Sequence, residues 1–116
     1  MQDFRDLAPA IVRRRLVVEG YPAFTITAGH ITEYLRTLSE VTDMVTLIEP
    51  VTHRSDRYGW AGWIHWETSG AHFYAWEHPL AFFSVDVYTC KDFDPDAVLS
   101  FTRDFFGATE ITGKEF

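Results

Sequence analysis

Between residues 59 and 90 the chain carries three strand-like segments in close succession, at about 60–68, 71–76 and 82–89. Each is rich in aromatic and β-branched residues. The breaks between them are short: the pair Ser69-Gly70, then the loop Glu77-His-Pro-Leu-Ala. Strands joined by such short links fold back on one another, so this region predicts an antiparallel meander. That meander limits what the flanking segments can be, because its apolar side needs a covering layer.

The flanks supply that layer. Residues 15–21, Arg-Leu-Val-Val-Glu-Gly-Tyr, predict a first strand that stops at Gly20 and Pro22. From about 28 to 42, Ile31, Tyr34, Leu35, Leu38 and Val41 fall on one helical face, with His30, Glu33, Arg36 and Glu40 on the other. A second strand is expected at 44–53. Pro50 cannot donate to a ladder, so it implies an edge or a bulge there. Residues 54–59 read as a turn. The second helix has the clearest limits, with Asp94 to cap it, Pro95 at its first position and Gly107 just past its end. Val98, Phe101, Phe105 and Phe106 should bury one face, and a short last strand follows at 108–112. The order β-α-β-β-β-β-α-β predicts an α+β fold, a two-layer α/β sandwich whose antiparallel sheet carries both helices on one face.

A length of 116 residues suits one domain, 1–116, with residues 1–13 expected to fray. The net charge of −7 argues against a general nucleic-acid binder, which needs clustered Lys and Arg to neutralise phosphates. The one basic run, Arg13-Arg14-Arg15, leads directly into apolar Leu16-Val17-Val18 and reads as a solvated strand entry rather than a phosphate patch. No apolar run reaches the roughly 18–20 residues of a membrane span, and the N-terminus lacks a secretory apolar stretch. The single cysteine excludes an internal disulfide and a cysteine-rich zinc site. A cytoplasmic protein with no membrane association is the expectation. Ten aromatic residues lie between 58 and 88, more than one half-buried sheet needs. A second copy of the chain packed on the uncovered face would bury the excess, so a homodimer is expected.

Gly59-Trp-Ala-Gly62, Glu67-Thr-Ser69-Gly, His72-Phe-Tyr-Ala-Trp76 and Val85-Asp-Val-Tyr-Thr-Cys90 resemble, in order and spacing, the core of the small bacterial and archaeal S-adenosylmethionine decarboxylases. The resemblance covers roughly residues 15–112, and it implies an α/β sandwich that dimerises and forms its sites near the subunit contact. It places Ser69 over the serine at which these enzymes cleave themselves, leaving a covalent pyruvoyl group on the new N-terminus. That carbonyl serves as electron sink for decarboxylation, the step that leads toward polyamines such as spermidine, so no metal or diffusible cofactor is implied. Cys90 lies over the family's distant acid–base cysteine.

Three positions depart from the family. Thr68 stands where the family has Glu, although Glu67 lies one place earlier; Ala61 replaces an upstream serine; Tyr74 replaces a histidine. An alanine cannot relay a proton, and a tyrosine with an ordinary pKa of about 10 substitutes poorly for imidazole. His72 is the best candidate to compensate, since in a strand it shares a face with Tyr74; His65 and His78 are weaker. The catalytic candidates are therefore Ser69, Cys90, His72, Glu67 and Tyr74. Trp63, Trp66, Trp76 and Glu77 are candidates to bind a cationic ligand through aromatic faces and a carboxylate.

Plainer readings stand beside these. Ser69-Gly70 is also ordinary turn chemistry, Cys90 also suits a small buried apolar position, and His72 also suits a structural role. His53, His65 and Glu67 lack the compact spacing of a metal site, and there is no Gly-x-Ser-x-Gly elbow. Three functions follow. The first is a divergent, unprocessed protein that binds or acts on S-adenosylmethionine or a related amine, with no cofactor. The second is a working pyruvoyl decarboxylase, a lyase, and the third is a non-catalytic interaction domain.

Overall fold

In the computed structural model, residues 3–116 are described. Eight elements follow the expected order: β1 (Arg14–Tyr21), α1 (Ala28–Val41), β2 (Thr46–Ser55), β3 (Gly59–Trp66), β4 (Ser69–Trp76), β5 (Phe82–Thr89), α2 (Pro95–Phe106) and β6 (Glu110–Glu115). The six strands form one antiparallel sheet in the order β2-β3-β4-β5-β1-β6. Both helices pack on one side of it, giving the α+β sandwich. Residues 3–13 form no helix or strand, and an ion pair between Arg13 and Asp6 folds them back; residues 1 and 2, where fraying was also expected, lie outside the described residues.

Local chemistry sets the helix limits. Thr27 and His30 form a reciprocal capping box at the start of α1. At α2, Asp94 accepts from the Asp96 amide and Gly107 closes the helix at φ 56°. Between helices and sheet lies an aromatic core in which Tyr34, Phe73, Phe83 and Phe106 are fully buried, with neighbouring rings 4.8–5.8 Å apart. Tyr34 Oη pairs with Thr102 Oγ1 at 2.7 Å, so its hydroxyl is satisfied, and burial pushes the phenol well above its ordinary pKa.

Gly59 and Gly62 have structural duties here. Gly59 holds φ +131° where any Cβ would lie 2.3 Å from the Ala75 carbonyl oxygen. Gly62 lets α1 settle on the sheet, since a Cβ there would meet Ile31 at 2.6 Å. As Pro50 implied, β2 is an edge strand, and its register with β3 shifts between Thr46 and Ile48 and again between Ile48 and Val51.

Candidate functional site

The β3–β4 hairpin is tighter than the sequence suggests. The turn is Glu67-Thr68, and Ser69 is already in β4, paired with Trp66, rather than part of a Ser69-Gly70 break. Thr68 carries the strain of this turn, at φ 64°, a left-handed conformation that a β-branched residue rarely adopts. Because side chains alternate along a strand, Ser69, Ala71, Phe73 and Ala75 face the helices, while Gly70, His72, Tyr74 and Trp76 face the open side.

Ser69 is 5% exposed, and its Oγ accepts a hydrogen bond from the Cys90 amide at 3.2 Å. The hydroxyl thus ties the hairpin to the end of β5. Cys90 is half-buried and free. Beside this hairpin the open face holds a cavity of about 690 Å³, lined by Trp63, His65, Thr68, Ser69 and His72, with Arg15, Asp86 and Tyr88 across it.

The structure divides the candidate residues. His72 and Trp63 share this cavity and Ser69 lies at its wall, but the Ser69 hydroxyl turns to the helix side, where it accepts from the Cys90 amide, and Cys90 does not line the cavity. His72 makes no hydrogen bond to Ser69, because an odd separation puts the two on opposite faces. His72 and Tyr74 stack on the open side with ring centroids 6.5 Å apart. Tyr74 is five residues along the strand from Ser69, roughly 16 Å at strand rise. Directly opposite Tyr74 in register stands Ala61. Glu67 is exposed in the turn and outside the cavity.

Trp66 does not belong among the ligand-binding residues. It faces the helices, is fully buried, and donates its indole N–H to Ser39 Oγ at 2.7 Å. Trp76 and Glu77 lie at the far end of β4 and line a different cavity, of about 450 Å³, with Phe24 and His78. There Arg54 holds Glu77 by two hydrogen bonds, of 2.8 and 3.2 Å, and keeps that carboxyl below its ordinary pKa.

Three wall residues escaped the sequence reading: Arg15, Asp86 and Tyr88. Asp86 gave a usable signal, because a lone carboxylate between Val85 and Val87 in an apolar strand must face the uncovered side. The basic run resolves into three separate pairings. Arg13 meets Asp6, Arg14 meets Asp92 and Glu115, and Arg15 meets Asp86. No group of three or more metal-ligating side chains occurs among the described residues, and none of their helices is long and apolar enough to cross a membrane.

Comparison with known proteins adds the family. Residues 16–116 match the model of the S-adenosylmethionine decarboxylase family. The solved structure of the adenosylmethionine decarboxylase from Aquifex aeolicus VF5 superposes with a TM-score of 0.68 at 15% identity, covering 91% of this chain and 89% of that one. At that identity the likeness shows the fold alone. No curated protein matches the chain.

Proposed function

Because the chain belongs to the S-adenosylmethionine decarboxylase family, we propose that it is a divergent member that binds S-adenosylmethionine or a related cationic metabolite in the Ser69 cavity without efficient conversion of Ser69 to a pyruvoyl group. The observation that carries this reading is the register pair Ala61–Tyr74. These are the two positions where the related enzymes keep a serine and a histidine, and both are replaced at one place on the open face. The pyruvoyl group is a poor fit to the residues present. Its source hydroxyl is buried and bonded to the Cys90 amide, and no imidazole reaches it. The aromatic wall at Trp63 and Tyr88, with carboxylate Asp86, supports cation binding. A covering second copy is the natural partner of the open face, where Tyr74, Trp76 and Tyr88 are 43%, 36% and 48% exposed. A cytoplasmic setting accords with the one free cysteine.

Intact-mass analysis tests the central statement. One 13.4 kDa species, unchanged on long incubation, is expected. Two fragments meeting at Thr68–Ser69, the second blocked to N-terminal sequencing, would overturn it. The triple variant A61S/T68E/Y74H, which restores the family's residue types, should begin to yield those fragments. Calorimetric titration with S-adenosylmethionine and simple amines should give micromolar binding, and silence across that panel favours an interaction domain instead. Light scattering should report a dimer.

One observation favours a working decarboxylase as the second reading. Thr68, strained at φ 64°, immediately precedes Ser69, and such a conformation stores about 1–3 kcal/mol that cleavage of the following bond would release. The same mass measurement separates the two.

A further inference from the structure

Beside Tyr88, and on the side of the Ser69 cavity away from Trp63, the wall carries an ion pair. Arg15 on β1 and Asp86 on β5 lie diagonally across the strand pair on the open face. Arg15 Nε and Nη2 donate to the two carboxylate oxygens of Asp86 at 3.0 and 2.8 Å. A guanidinium has a second two-donor edge, between Nη1 and Nη2. Nη1 has no hydrogen-bond partner among the described residues, so that edge is available. The group is also preorganised. The Phe116 ring lies 5.1 Å from the guanidinium carbon, and the Phe116 amide donates to the Arg15 carbonyl at 2.9 Å. Both charged side chains remain reachable, 47% and 33% exposed, and both line the cavity.

We propose that this pair is a recognition element for a zwitterionic amino acid ligand: the free edge of Arg15 takes the ligand's carboxylate, and Asp86 faces its cationic centre. The proposal rests on the reading that the cavity binds a cationic metabolite, and it adds the second charge. Two fixed, opposite charges side by side favour a ligand that carries both, because only such a ligand meets the free edge of Arg15 and the Asp86 carboxylate at once. The arrangement also bears on chemistry. A guanidinium that holds a carboxylate stabilises its charge in the ground state, and loss of carbon dioxide requires that charge to be given up. Arg15 therefore suits retention of the carboxylate better than its removal.

The test is calorimetric titration of the full chain with two probes, S-adenosylmethionine and the same molecule without its carboxylate. The wild type is expected to prefer the carboxylated probe. In R15Q, affinity for S-adenosylmethionine should fall about tenfold or more, as expected for a lost charge-assisted contact, with the decarboxylated probe changed by less than about twofold. In D86N both probes should weaken by about tenfold or more. Circular-dichroism melts of each variant check the fold, and a merely structural strut would lower both affinities equally in R15Q. Equal losses, or no loss, overturn the proposal alone. A wild type that binds neither probe overturns the cavity reading and the proposal together.

Discussion

Strand β4 presents two surfaces that share a backbone and little else. On the helix side, Ser69, Ala71, Phe73 and Ala75 are all buried, and Phe73 sits 5.2–5.8 Å from the rings of Tyr34, Phe83 and Phe106. On the open side, three of the four residues, His72, Tyr74 and Trp76, are exposed, and the mainly apolar cavity beside them carries one charged pair, Arg15 and Asp86. Substitution on the first side changes packing volume in a dense core, whereas substitution on the second changes only what the surface can bind. That difference lets a large, exposed ring stand at Tyr74 without disturbing the core.

Substitution of neighbouring residues separates the two surfaces most clearly. F73A should cost about 3–5 kcal/mol in denaturant unfolding, because it empties a ring-lined site. H72A, one residue away, should stay within about 0.5 kcal/mol. Comparable losses would mean that the open face is part of the core. Next in size is W66F, which removes the indole N–H bonded to Ser39 in the interior and should cost about 1–3 kcal/mol by the same measurement.

The turn that joins the two surfaces offers a gain instead. T68N replaces a β-branched residue with one that tolerates positive φ, and should raise stability by about 1 kcal/mol in thermal melts.

The smallest effect belongs to the rim of the sheet. Arg14 and Arg54 hold the Asp92 and Glu77 carboxyls below their ordinary range. A depressed folded-state pKa adds stability that is present above the unfolded value, about 4, and is lost as pH falls through the folded one. Melting temperature should therefore be flat from neutrality to about pH 5 and fall below it, with R54Q and R14Q showing a shallower acid slope.

The fold was legible because its signals are local. Asp94, Pro95 and Gly107 mark α2 to the residue, and period-two apolar alternation marks β5 at Phe82–Thr89. The turn lies at 67–68, two residues before the expected Ser69-Gly70 break; Ser-Gly is the commoner turn signal, and nothing in the composition of Glu67-Thr68 announces a residue with φ 64°. Less of the site could be read. Trp63 and Trp66 look alike in sequence, yet register sends one to the cavity and the other to Ser39. Trp76 and Glu77 are adjacent to the motif along the chain but a full strand away from Ser69 in space. Arg15 reaches Asp86 across 71 residues, and only the β1–β5 ladder makes them neighbours.

The double register shift in β2 governs how molecules of this chain can meet. A sheet grows at its edges when a straight strand offers an unbroken row of amides, and here Pro50 and the two shifts interrupt that row. The opposite edge, β6, carries Glu110, Lys114 and Glu115 in six residues. Both margins of the sheet are thus blunted against the pairing of one strand edge with another. Edge-on growth of the sheet into a fibre is therefore resisted at both ends of the strand order.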